Sequence, residues 1–218
     1  QAAQALQLDI PAYFLEKALE EQLLKLAQKQ DALKCGRLKL KVWRAGAGLY
    51  TPQTNAVNWM ATVLPVAPAI DQPLHLGICR LVHTAFTPLS HFKGPNAPLY
   101  VLAALEKQEH DDMLLLSSDR HVAELISSNI FWFQDDRLYT PALETGCVNG
   151  ILRRNIIKWC GQNKLQVHEV KAHPEVLDQA TSVFAANVTG IKGIASLNSK
   201  ALPQQEEFLA RLRQDLNL

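Results

Sequence analysis

The sequence has no run of about 20 apolar residues, so it offers no segment long enough to cross a membrane as a helix. It also lacks an excess of one charge, because 22 lysines and arginines balance 21 aspartates and glutamates. A balanced charge gives no electrostatic reason to expect nucleic acid or an anionic membrane as a partner. We therefore expect a globular protein with no nucleic-acid and no membrane partner.

Motifs of cysteine and histidine are absent as well. The four cysteines form no CxxC pair, and the seven histidines show no HxH or HExxH spacing. These absences argue against structural disulfides, a zinc site and a metal-dependent hydrolase. They favour a reducing compartment, the cytoplasm. With 48% hydrophobic residues, the 218-residue chain can bury one large core or two modest ones.

Hydrophobic periodicity predicts a chain that mixes helices and strands. Residues 1–30 repeat apolar side chains at helical spacing, and a turn near Pro11 is predicted to open a second helix. Alternating apolar and charged residues predict a half-buried strand at 37–43. Further strands are predicted at 58–65, 74–80, 113–116, 121–124 and 129–133, the last three as a meander, and further helices at 98–108, 151–160 and 173–186.

A segment with two prolines among short side chains, 66–73, is typical of an interdomain linker. We therefore predict two domains, one at 1–70 and the other at 71–218.

Three segments downstream of this linker carry polar and glycine residues in an ordered series. The first, SHFKGPN at 90–96, contains Lys93, and the second, VAELISSNIF at 122–131, contains Glu124. The third, at 138–154, contains TP and then GCVNGILRR. In order and spacing, over about sixty residues, the set resembles the class IV aminotransferase family, the fold type IV pyridoxal-phosphate enzymes. Branched-chain aminotransferases, D-amino-acid aminotransferases and aminodeoxychorismate lyases belong to that family.

The resemblance implies an α+β fold of two domains. Residues 1–70 would be the remainder of a small α/β domain, and 71–218 a larger, β-barrel-like, cofactor-binding domain. It also implies a homodimer, with each active site between the domains and near the partner chain. The family's arginine for the cofactor phosphate would lie before Gln1, so we expect roughly 50 to 70 further N-terminal residues in the native protein. A native mass near 24.3 kDa would contradict this expectation.

The implied cofactor, pyridoxal 5′-phosphate, needs a lysine amine that binds it covalently. The resemblance assigns Lys93 to this Schiff base and to the later transfer of a proton. Glu124 matches the carboxylate that keeps the pyridine nitrogen protonated, because a negative charge favours the charged form of its neighbour. Taken singly, each residue would be read as a solvated surface charge. The ordered set of motifs favours the functional interpretation.

The cofactor phosphate needs backbone amides at a helix start. Gly150 precedes a predicted helix, so Ile151 and Leu152 can offer their amides, although many family members carry Thr at the position of Leu152. The resemblance implies that Val148 packs on the cofactor ring. It also implies that Asn187 lies in a turn beside the phosphate.

The sequence distinguishes less clearly between the reactions of the family, elimination and amino-group transfer. Arg44 lies where several family members bind a substrate carboxylate, a task for which a guanidinium fork is suited. The sequence RAGAGLY at 44–50 lacks the second arginine of many aminodeoxychorismate lyases. In contrast, the short spacing from Lys93 to Asn96 resembles that of lyases and D-amino-acid aminotransferases, whereas branched-chain aminotransferases typically have a longer one.

We therefore expect a 4-amino-4-deoxychorismate lyase of folate biosynthesis, which gives 4-aminobenzoate and pyruvate. An aminotransferase for branched-chain or D-amino acids, with 2-oxoglutarate as acceptor, is the alternative. A non-catalytic binding protein on the same scaffold is a third possibility.

Overall fold

A computed structural model describes residues 2–67, 72–94 and 97–218 of the protein. The chain divides into two compact units, Gln1–Ile70 and Asp71–Leu218. The predicted linker at 66–73 lies partly outside the described residues. None of the helices in the described ranges combines the length and the apolar composition needed to cross a membrane.

The first unit consists of two helices and an antiparallel strand pair. The helices are α1 (Ala2–Ala5) and α2 (Lys17–Lys29), and the strands are β1 (Gly36–Arg44) and β2 (Val57–Pro65). The predicted second helix begins at Lys17 rather than near Pro11, because Ala12–Leu15 forms a 3-10 turn. β1 is not half-buried as predicted, since most of its side chains are exposed, Leu38 at 44%.

The second unit contains a mixed sheet and three helices, as predicted for an α+β fold. The helices are α3 (Ala97–Leu105), α4 (Ile151–Gln162) and α5 (Glu206–Asp215). The strands are β3 (Leu74–Ile78), β4 (Asp112–Leu116), β5 (Val122–Leu125), β6 (Asn129–Gln134), β7 (Arg137–Pro141), β8 (Val167–Val170), β9 (Ser182–Asn187), β10 (Gly190–Leu197) and β11 (Lys200–Ala201). Their order is β5-β4-β3-β10-β9-β6-β7-β8, with β11 beside β10.

Two predictions about this unit are wrong. The strands at 113–116, 121–124 and 129–133 do not form a meander, because β6 pairs with β7 and β9 rather than with β5. The sheet is curled, so the tight turn after β5 leads to a strand in its other half. The predicted helix at 173–186 is instead a 3-10 turn, Pro174–Gln179, followed by β9.

The helix was predicted wrongly because β9 is buried along almost its whole length. It lies between β6 and β10, and both faces of the sheet are covered, so its run of apolar residues does not alternate. The same holds for β6, in which Ile130 and Trp132 belong to one core cluster and Phe131 to another. Helices α4 and α5 cover the side of Phe131.

Candidate active site

Lys93 lies in a turn just before α3, and its side chain is exposed. The turn is tied to the loop before α4, because the Asn149 amide donates a hydrogen bond to the carbonyl oxygen of His91 at 3.1 Å. Buried Ser90 closes the preceding turn, with its hydroxyl 2.9 Å from the carbonyl oxygen of Thr87. The lysine is therefore presented to solvent from an anchored segment. Asn96 lies outside the described residues.

Glu124 stands on β5 with only 3% of its surface exposed. Its Oε1 accepts a hydrogen bond from the Tyr100 hydroxyl at 2.7 Å, and its Oε2 accepts one from the Val148 amide at 3.0 Å. The pKa of this carboxyl is raised to about 7, because the effect of burial exceeds the opposing effects of the two hydrogen bonds and the charge of Lys93. The lysine is thus within electrostatic range of a buried carboxylate whose two hydrogen-bond donors are uncharged.

The loop before α4 is held between Glu124 and β6. Beyond the bond from its amide, Val148 accepts a hydrogen bond at its carbonyl oxygen from Nδ2 of Asn129 at 2.7 Å. Gly150 makes this approach possible, because a Cβ there would lie 2.2 Å from the side-chain oxygen of Asn129. The loop therefore joins the carboxylate to the helix start.

Helix α4 begins without a side-chain cap. Gly150 is its N-cap residue, and the first intrahelical amide in the ladder is that of Arg154, 3.1 Å from the carbonyl oxygen of Gly150. The amides of Ile151 and Leu152 precede it and have no partner within the helix, which makes this end suited to an anion. Ile151 is 71% exposed, whereas the Leu152 side chain packs in the core. Leu152 can thus contribute its amide alone.

Asn187 links the turn after β5 to the turn after β9. Its Nδ2 donates to the carbonyl oxygen of Ser127 at 3.2 Å and to the hydroxyl of Ser128 at 2.9 Å. Its Oδ1 accepts hydrogen bonds from the amide and the hydroxyl of Thr189, at 2.7 and 2.6 Å. These contacts give the side chain a structural role in shaping the turn. Its predicted place beside the phosphate stays a prediction.

Arg44 lies in the first unit, at the end of β1, and its guanidinium is used there. One nitrogen donates to the carbonyl oxygens of Gln7 and Thr54, at 3.3 and 3.0 Å, and to the side chain of Asn55 at 2.5 Å. The other nitrogen donates to the carbonyl oxygen of Leu6. These bonds hold the end of α1 against the loop before β2. The predicted contact with a substrate carboxylate stays a prediction.

Sequence reasoning missed two residues of this region. Tyr100 contacts Glu124 from α3, and the only hint in the sequence is a hydroxyl within an apolar helix, which needs a partner when buried. Arg153, 2% exposed, pairs with Glu169 at 2.5 Å and donates to the carbonyl oxygen of Pro141 at 2.9 Å. In the sequence it is only one residue of the GCVNGILRR motif, whereas in the structure its hydrogen bonds fix the first turn of α4.

The second unit thus brings together an anchored lysine, a buried carboxylate and an open helix N-terminus, a donor set suited to pyridoxal phosphate. A family model described as Amino-transferase class IV matches residues 1–197. The chain belongs to this family and is a pyridoxal-phosphate-dependent enzyme. The predicted family, fold class and cofactor are confirmed. The assignment of the units to the family's small and large domains, and the individual roles of the site residues, stay predictions.

Relatives named as aminotransferases and relatives named as lyases both match the chain. A probable branched-chain-amino-acid aminotransferase of Rickettsia felis is 27% identical over 98% of this chain and 76% of its own length. The aminodeoxychorismate lyase of Vibrio harveyi is 25% identical over 67% of this chain and 56% of its own. The crystal structure of a candidate 4-amino-4-deoxychorismate lyase of Legionella pneumophila superposes with a TM-score of 0.87 at 25% identity, covering 99% of this chain and 81% of that one.

The buried Glu124 predicts a distinct pH dependence of stability in the cofactor-free protein. Its pKa is raised from 4.5 to about 7, so the native state binds more protons than the unfolded state between these values. Stability should therefore fall as pH rises from 5 to 8, by on the order of 3 kcal/mol from this group. Urea unfolding at both pH values should show this loss, and Glu124→Gln should remove it. Equal pH dependence in the two proteins would contradict the prediction.

Proposed function

We propose that the enzyme is a 4-amino-4-deoxychorismate lyase. The main support is the likeness to the Legionella candidate lyase, which extends over nearly the whole chain. The identity to the Vibrio lyase points the same way, and the short spacing between Lys93 and Asn96 argues against a branched-chain aminotransferase. The small-molecule substrate carries an amine, which can replace the lysine amine at the cofactor, and carboxylates, which need cationic or amide donors.

Each residue then has a task. When bound, pyridoxal phosphate supplies an electron-accepting ring that stabilises negative charge beside the substrate nitrogen. Lys93 would hold the cofactor through its Nζ, and its free amine would take the proton from the amine-bearing carbon of the substrate. Glu124 holds a proton at the pyridine nitrogen, and the amides of Ile151 and Leu152 bind the phosphate.

In the lyase reaction, the substrate ring loses that proton, its C–O bond to the side chain breaks, and enolpyruvate leaves with the oxygen, which makes the ring aromatic. The leaving group takes up a proton and becomes pyruvate, so one substrate gives 4-aminobenzoate and pyruvate. No acceptor is needed. This separates the lyase from an aminotransferase, which requires a keto acid to accept the amino group.

An amino-acid aminotransferase of branched-chain or D-amino-acid type is the second candidate. It is favoured by the Rickettsia relative, because that match covers almost all of this chain. The two reactions share the proton transfer by Lys93. They differ in whether the substrate loses a group or exchanges its nitrogen.

Parallel assays on the cofactor-loaded protein test the choice. We expect 4-aminobenzoate and pyruvate in equal amounts from aminodeoxychorismate, without added keto acid. L-Leucine or D-alanine with 2-oxoglutarate should give no glutamate above the level seen with Lys93→Ala. Turnover in the second assay without product in the first would establish the aminotransferase instead.

We further propose that the enzyme is a homodimer of the cytoplasm. The family resemblance supports the dimer, and the free cysteines, three of them buried, suit a reducing compartment. A monomer mass in sedimentation equilibrium of the native protein would contradict the dimer.

A further inference from the structure

Tyr100 contacts Glu124, but none of the roles proposed above accounts for it. It lies in the first turn of α3, the helix that follows the lysine turn, and its hydroxyl is 2.7 Å from Oε1 of Glu124. Its ring packs beside the small core cluster of Cys79, Ala103, Met113 and Leu115. An apolar ring of this size would fill the space equally well, so packing alone does not require the hydroxyl.

We propose that Tyr100 is a positioning residue whose hydroxyl favours the ionised form of Glu124, so that the shared proton stays on the pyridine nitrogen of the cofactor. The inference rests on the assignment of Glu124 to that nitrogen. It does not depend on the choice between lyase and aminotransferase. Through Glu124, Tyr100 would thus influence the electron-accepting strength of the cofactor ring.

The geometry supports this role in two ways. Tyr100 and the Val148 amide each engage a different oxygen of Glu124, so the plane of the carboxylate is fixed. Each oxygen retains a second acceptor site, so a third donor can still bind. A hydrogen bond to the charged form of a carboxyl favours that form, and among the contacts that lower the pKa of Glu124 the one from Tyr100 is the largest.

Among the titratable groups around this pair, Tyr100 is the side chain that donates a hydrogen bond to Glu124. Burial and the charge of Glu124 raise the pKa of Tyr100, so its hydroxyl keeps its proton and can donate. Burial, together with the charge of Glu124, raises the pKa of Cys147 to about 11, so this thiol is neutral near pH 7. Lys93 contributes its charge. Asp112 on β4 binds the amide of residue 126 instead of Glu124.

The first test uses the cofactor-free protein. The carboxyl carbon of Glu124, labelled with ¹³C and assigned by its loss in Glu124→Gln, is titrated by NMR. We expect a midpoint about one pH unit higher in Tyr100→Phe than in the unaltered protein. Tyr139→Phe is the matched control, because the ring of Tyr139 stacks on Trp132 and His168. It should leave the midpoint unchanged.

The second test places ¹⁵N-labelled pyridoxal phosphate in the protein and records the pyridine nitrogen. A rise of one unit in the carboxyl pKa moves the shared proton about tenfold toward Glu124. In Tyr100→Phe the nitrogen shift should therefore move toward that of the unprotonated ring. In a Glu124→Gln background the same Tyr100→Phe change should have no further effect, because there is no carboxylate for the hydroxyl to act on.

Three results would overturn the proposal. One is an unchanged Glu124 midpoint in Tyr100→Phe. Another is an effect of equal size in the Glu124→Gln background, which would mark a structural role. The third is a nitrogen shift that Glu124→Gln itself does not move, which would remove Glu124 from the pyridine. None of these measurements uses substrate, so failure of the lyase assay is distinguishable from failure of this inference.

Discussion

Lys93→Ala should lower turnover by at least about a thousandfold, whichever of the two reactions the enzyme performs. A positioned acid–base group contributes about 10²–10⁴ in rate, and this residue is assigned covalent binding of the cofactor as well. The cofactor would then lose its covalent attachment and depend on non-covalent contacts alone. The visible absorption of the loaded protein should change from that of a lysine-linked cofactor to that of the free aldehyde.

Borohydride provides a direct measurement, since it converts an imine linkage to lysine into a stable bond. After reduction and digestion of the unaltered protein, the cofactor mass should be found on the peptide that contains Lys93. Lys171→Ala, at an exposed lysine of the same unit, is the matched control and should retain both activity and labelling. Labelling of another lysine, or activity that survives Lys93→Ala, would contradict the assignment.

The active-site motifs could be predicted from the sequence because they combine unusual residues at short range. The lysine turn, the carboxylate of β5 and the glycine before α4 each lie on one continuous segment. The order of these segments carries the family resemblance. Their spatial relations could not be predicted, since the loop before α4 meets the lysine turn and β5 only through tertiary contacts, such as the bond between Asn149 and His91.

Both errors in the predicted fold of the second unit involve strands inside its curled sheet. Strands β6 and β9 lie inside a curled sheet that is covered on both faces, so their apolar residues form runs without a period of two. Such runs cannot be distinguished from a buried helix by periodicity. The predicted helix at 173–186 and the predicted meander both fail at these strands. The role of Tyr100 could not be predicted for a related reason, because it depends on a tertiary contact between its hydroxyl and Glu124.

Gly146 is the first glycine of the GCVNGILRR motif, and the structure gives a physical reason for a glycine there. It lies at φ 86°, in the left-handed region, and ends the 3-10 turn after β7. A Cβ there would lie 2.6 Å from the carbonyl carbon and oxygen of Ala85, which are backbone atoms that cannot rotate away. The neighbouring residues hold the same contact, because the Thr84 hydroxyl donates to the carbonyl oxygen of Thr145 at 2.6 Å. The glycine thus lets the segment that leads to Lys93 pack on the loop that serves Glu124.

Gly146→Ala should therefore lower the free energy of unfolding by about 3 kcal/mol or more, from left-handed strain together with overpacking against backbone. Gly161→Ala is the matched control, because its Cβ would meet nothing within 4 Å and it lies within α4. That change should stabilise the protein by about 0.5–1 kcal/mol, since alanine is the better helix former.

Denaturant unfolding of both variants and of the unaltered protein measures these differences. In folded Gly146→Ala, cofactor affinity should also fall, because the Ala85 segment and the Val148 loop would have to separate. A Gly146→Ala protein as stable as the Gly161→Ala protein would show that this contact is not needed to hold the lysine turn in place.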